Sequence, residues 1–126
     1  MKRLYEAELM GKAYPLNLSM RATKTISERF GGIELMYDII DRQQDHEKID
    51  TILWLLALML EQGAAYMRVF EEREITPPTQ DELEIYYDIN DFQDLFAIIT
   101  KAFEGSSKTE VETASEEKNV TATQGE

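Results

Sequence analysis

The sequence ILWLLALML, residues 52 to 60, constrains this chain more than any other stretch. As a helix the run is roughly 14 Å long, about half the hydrocarbon thickness of a bilayer. Asp50 and Glu61 bracket it, so it is not a membrane span but a buried core helix or an exposed partner-binding patch, and the elements that need something apolar to cover favour the core. Export is not expected either, because MKRLYEAELM has glutamates where a signal peptide carries an apolar centre. With no cysteine in 126 residues, disulfides and thiolate metal sites are excluded, and a reducing cytoplasm is the expected compartment.

A helix apolar on all sides needs other elements around it. The chain, 43% apolar and 10% aromatic, has enough material for one such core. From Gly105 onward only Val111 and Val120 are large apolar residues, too little burial to offset the entropy of ordering. The expected division is a domain over 1–104 and a disordered, acidic, Ser/Thr-rich tail over 105–126. The net charge is −12; the tail holds two lysines and five glutamates, net −3, which leaves −9 on residues 1–104. An acidic body disfavours direct binding to nucleic acid or an anionic membrane and suits a basic partner.

The fold expected is α+β and mostly helical, an N-terminal β-hairpin on a bundle of about four to five helices. Tyr5, Ala7 and Leu9 alternate with glutamates, and Tyr14, Leu16 and Leu18 alternate after Gly11. A Gly11-Lys12 loop pairs Leu9 with Tyr14, whereas a Met10-Gly11 loop pairs Ala7 with Tyr14; both leave the same face apolar. The first is preferred, since glycine tolerates the first central position of such a turn and methionine does not. Pro15 marks its strand as an edge. Ser19 caps a helix with Met20, Thr23, Ile26 and Phe30 on one side, ended by Gly31-Gly32. Ile33, Met36, Tyr37 and Ile40 space a second short helix, and the third runs from about Glu47 to Glu72, with Gly63, Ala64 and Ala65 permitting a close crossing. After Pro77-Pro78, Thr79 caps a helix bearing Leu83, Tyr86 and Tyr87, and Asp91 opens a last one bearing Phe92, Leu95, Phe96, Ile99 and Phe103.

No motif points to catalysis, a cofactor or a metal. His46 begins H-E-K-I-D, but Asp50 stands where a zinc-protease motif needs histidine and the chain has no second one. Asp88, Asn90 and Asp91 start like a calcium loop, yet Gln93 and Ile99 occupy the positions that need Gly and Glu. The carboxylates Asp81, Glu82 and Glu84 read as a solvated helix face. A non-enzyme is expected.

Three stretches carry a resemblance: GKAYPLNLSMRA at 11–22, ERFGGIELM at 28–36 and KIDTILWLLALMLEQGAAY at 48–66. In their order, and in the proline-rich loop and two helices that follow, residues 3 to 104 resemble the tail assembly chaperones of long-tailed, siphovirus-type bacteriophages of Gram-positive hosts. Two departures are a Met-Gly-Lys hairpin tip where Asn-Gly-Lys is commoner, and a tail with no fixed counterpart. The resemblance implies a non-enzymatic chaperone of the host bacterial cytoplasm, absent from the finished virion. It would bind the phage tape measure protein and keep it soluble while tail-tube subunits polymerise round it. A longer form made by programmed frameshift would recruit the major tail protein, and self-association is compatible with the role. Tyr66, Phe70, Tyr86 and Tyr87 are the aromatic side chains expected to line a partner groove. The alternative is an acidic mimic of nucleic acid that inhibits a basic host enzyme.

Overall fold

The structure is a computed structural model that describes residues 4–115, with side chains described for 4–105. Strands β1 (Tyr5–Leu9) and β2 (Lys12–Leu16) form an antiparallel hairpin. Five helices follow: α1 (Met20–Phe30), α2 (Met36–Arg42), α3 (Asp45–Phe70), α4 (Gln80–Tyr86) and α5 (Phe92–Ser115). Single 3₁₀ turns, Ile33–Leu35 and Ile89–Asp91, lead into α2 and α5. The expected α+β, mostly helical architecture is therefore the one observed.

Helix α3 is the axis, and β2, α1, α2, α4 and α5 all pack on it. Within the apolar run, Ile52, Leu53, Leu55, Leu56, Met59 and Leu60 are buried, while Trp54, Ala57 and Leu58 are half-buried at the margins. Burial on almost every side explains why this segment has no polar face to spare. The nine-residue run understates the element. Helix α3 has 26 residues, and by length and composition it is the one described helix that could cross a membrane. In this fold the apolar side chains of residues 52–60 are taken up by the surrounding elements, while Val69 and Phe70 at the end of the helix stay exposed. Its N-terminus is closed by a reciprocal cap, with the Gln44 side chain accepting from an amide of the first turn and Glu47 accepting from the Gln44 amide at 2.9 Å.

The small residues at 63–65 permit the close crossing expected of them. The backbone of β2 lies directly on Gly63: a Cβ placed there would meet the Pro15 carbonyl oxygen at 1.9 Å and its carbon at 2.6 Å. One step on, the Asn17 amide donates to the Met59 carbonyl at 3.1 Å. Ser19 then caps α1, accepting from the Ala22 amide while its own hydroxyl donates to Gln62 at 2.7 Å. Three consecutive contacts thus tie residues 15–19 to one face of α3.

The hairpin register corrects the expectation. Leu9 pairs with Lys12, Ala7 with Tyr14 and Tyr5 with Leu16, around a Met10-Gly11 turn with φ of 53° and 80°. Two positive φ values define the mirror-image type I′ turn, which matches strand twist but costs a non-glycine residue on the order of 1 kcal/mol at Met10. What offsets that cost is tertiary: the Met10 amide donates to the Tyr87 hydroxyl at 2.9 Å, and its side chain rests against the core. This register also ends the strand at Leu16, which frees Asn17 and Ser19 for their contacts with α3. The other register would pair Leu18 with Tyr5 and draw Asn17 into the strand opposite Glu6.

Two further details differ. Met20 was expected on the packed side of α1, but the buried face is Ala22, Ile26 and Phe30 and Met20 is exposed. As the first helical residue, beside a cap fixed by Gln62, it lies off that stripe. The boundary expected at residue 105 falls inside α5, which continues to Ser115; no proline interrupts it, and a single interior glycine costs only about 1 kcal/mol. The rest of the expected disordered tail, 116–126, lies outside the described residues.

The crossing makes Gly63 intolerant of any side chain. Gly63→Ala should lower unfolding stability by about 3 kcal/mol, because the obstructing atoms are backbone and cannot step aside. Gly105→Ala, whose Cβ meets nothing within 4 Å, should raise it by about 0.5 to 1 kcal/mol. Urea denaturation of the two variants checks both signs, and equal stability of Gly63→Ala and the parent would refute the crossing.

Candidate functional site

The four aromatic residues singled out in the sequence do not form one site. Tyr66 and Phe70, one helical turn apart near the end of α3, pack on each other with ring centroids 5.1 Å apart. Tyr86 and Tyr87 meet edge to face at 4.9 Å, yet they point to different uses. Tyr87 is half-buried and its hydroxyl accepts the Met10 amide, so it is a strut between α4 and the hairpin turn. Tyr86 is 60% exposed and lines a groove.

That groove is open to solvent and encloses about 590 Å³. One wall is the hairpin end, Met10 and Tyr14; the second is the loop Thr76, Pro77 and Pro78; the third is α4, with Glu82, Ile85 and Tyr86. Each wall has a local cause. Thr79 and Glu82 exchange side-chain and backbone hydrogen bonds at 3.2 and 2.9 Å, which starts α4 immediately after the prolines. Leu83 then anchors α4 in the core, and Ile85, two residues on and so on the opposite side of the helix, is left 84% exposed. The Tyr87 strut holds the hairpin turn against this helix.

Of the lining residues, only Tyr86 had been singled out. Ile85 was legible as the apolar residue off the Leu83 face in ELEIYY. Met10 and Tyr14 had no local signal, since their place depends on the register and on docking of the hairpin. Other large apolar side chains are exposed beyond the groove, among them Val69 at 60% and Phe70 at 69% at the end of α3.

Charge is distributed unevenly. Residues 1–70 carry ten Asp and Glu against nine Lys and Arg, close to balance. Residues 71–94, which supply two of the three walls, carry nine acidic residues and one basic residue, Arg73. Some of these carboxylates serve local structure: Asp88 accepts the Asn90 amide at 2.8 Å and Asp91 accepts the Asp88 amide at 3.0 Å, so the calcium-like string is a self-capping turn. Among the described residues no group of three or more His, Cys, Asp or Glu is placed to hold a metal ion. Comparison of the chain with family models, with curated proteins and with solved structures finds no match.

Burial raises the Tyr87 phenol above its ordinary value of 10.0; the Met10 hydrogen bond acts the other way, and Tyr86, Asp91 and Glu8 add to the rise. Tyr37, which reaches Phe96 and Phe103 of α5, is raised for the same first reason, opposed by a bond to Thr100 and aided by Glu104. A phenol with a raised folded-state pKa contributes stability that is complete below about pH 10 and is lost as pH climbs through the folded value. Unfolding free energy should therefore fall on the alkaline side of pH 10. Tyr87→Phe should cost about 1 kcal/mol at neutral pH by orphaning the Met10 amide, and should make the alkaline fall shallower. Guanidinium melts at pH 7 and pH 10.5 measure both, and the absence of any loss at pH 7 would mean that Tyr87 is not the strut.

Proposed function

We propose that the chain is a non-enzymatic tail assembly chaperone of a long-tailed bacteriophage, acting in the host bacterial cytoplasm. In this reading it binds the tape measure protein and keeps it soluble until tube subunits polymerise round it; a longer frameshifted form meets the major tail protein. The observation that carries the proposal is the set of large apolar side chains left exposed on an acidic body: Val69 and Phe70 on α3, Ile85 and Tyr86 on α4, and Ile89. Such a surface suits a protein that covers apolar segments of a client while its own charge keeps the coated complex soluble. The order of elements, from the hairpin through the Gly63 step of α3 to the proline loop and α4, supports the family resemblance that names the client.

The alternative, an acidic decoy for a basic host enzyme, draws support from the carboxylates of residues 71–94. Ile85 and Tyr86 stand in the middle of that segment, however, and a surface built to imitate nucleic acid has no use for them.

Co-expression decides between the two. With the tape measure protein of its own phage, the chain should keep that protein in the soluble fraction and copurify in many copies per client, because the client is long and repetitive. A complex driven by apolar burial should survive moderate salt, whereas a charge-driven decoy complex weakens steeply as salt rises. Capture of a DNA-binding enzyme at low salt only, with the tape measure protein still insoluble, would overturn the chaperone proposal.

A further inference from the structure

We infer that the groove between the hairpin turn, the Pro77-Pro78 loop and α4 is a docking site for a basic amphipathic helix of a partner protein. The inference deepens the client-binding reading and rests on it for the site's use in the cell.

Three properties of the groove select this occupant. Its lining is largely apolar, through Tyr14, Pro77, Ile85 and Tyr86, so it recognises side chains by burial. Its three walls, from residues 10–14, 76–78 and 82–86, leave an open channel in which a helix can turn an apolar face to the groove and a basic face to its margin.

Charge then sets the sign. Glu82 lines the groove, and the segment that forms two of its walls carries nine carboxylates against Arg73 alone. Apolar side chains flanked by Lys or Arg complement such a rim, and the steering charge raises association rate and selectivity more than affinity. On the hairpin wall the chain's own Lys12 stands beside Tyr14, its ammonium 5.9 Å from the ring centroid, so the attraction for a basic helix comes from the loop and α4 side. Other occupants fit worse. The C-terminal segment 106–126 is itself acidic, with two lysines and five glutamates, and a second copy would bring the same carboxylate-rich segment to the rim.

The test uses the full chain and two synthetic helical peptides of matched length and apolar content, one with lysines and one with glutamates at the polar positions. The lysine peptide should shift the backbone amide resonances of Met10, Tyr14, Thr76, Ile85 and Tyr86, and the glutamate peptide should not bind. Ile85→Lys, at a side chain too exposed to affect folding, should weaken the lysine peptide by about tenfold, as loss of a central anchor does. Met20→Lys, equally exposed but outside the groove, should leave binding unchanged. Equal binding of both peptides, shifts confined to other surfaces, or insensitivity to Ile85→Lys would overturn the inference.

Co-expression separates its failure from that of the chaperone proposal. A tape measure protein kept soluble equally well by the parent and by Ile85→Lys would overturn the groove and leave the proposal standing. Lysine-peptide binding in the groove by a chain that fails to protect the tape measure protein would uphold the groove and remove the proposal.

Discussion

Everything in this fold depends on the approach of one backbone to another, the Pro15 carbonyl over Gly63. A helix surface is normally kept at a distance by its own Cβ atoms, and strand backbone meets helix backbone only where one is missing. At Gly63 that absence lets β2 settle onto α3. The hairpin thereby places Ala7, Leu9, Tyr14 and Leu16 in the core, with β2 on α3 and β1 on α5, which a two-stranded ribbon needs because it is marginal alone. The same approach brings the Asn17 amide to the Met59 carbonyl and Ser19 to Gln62, so the start of α1 is placed by the crossing as well.

The candidate site is a remote consequence of that contact. Once the hairpin is seated, its turn projects toward α4, and the Tyr87 hydroxyl takes the Met10 amide. A methionine in a left-handed conformation is tolerated because the amide bond and the core contacts of its side chain offset the strain. The three walls of the groove come from residues 10–14, 76–78 and 82–86, which only the tertiary fold brings together. Helix α4 is short and held by Leu83 alone in its interior, so its outer residues are free to serve another molecule. Most of the acidic excess of the chain falls in residues 71–94, the segment that also carries exposed Ile85 and Tyr86, apolar side chains that a protein without a partner would have reason to hide.

Much of the framework was legible because it is local. The Ser19 and Thr79 caps, the Gly31 terminus with φ of 82°, the proline break and the unbroken apolar run each act through neighbours within a helical turn or two. The small residues at 63–65 announced a close crossing, although not which segment would cross. The site was legible only in part. Tyr86, an aromatic residue the core does not need, lines the groove; Tyr87, alike in sequence, is bonded to the hairpin; Tyr66 and Phe70 pack on each other at a tilt at the end of α3. Adjacent tyrosines at 86 and 87 look alike in a sequence, but Tyr86 is the last residue of α4 and lines the groove, while Tyr87, just past the helix end, reaches the hairpin turn.

The sequence by itself determined that a long apolar helix would be the axis, that a hairpin and capped helices would cover it, and that the whole would be acidic. These follow from periodicity, capping chemistry and charge counts, which need no knowledge of distant contacts. The tertiary structure alone decided the hairpin register, the exposure of Met20, and which residues share the groove. Both registers gave the hairpin the same apolar face, so hydrophobic pattern could not choose between them, and turn preference favoured the other one. Contacts at Tyr87, Gly63, Met59 and Gln62, between 43 and 77 residues away along the chain for the two side-chain bonds, outweighed a local strain of about 1 kcal/mol at Met10.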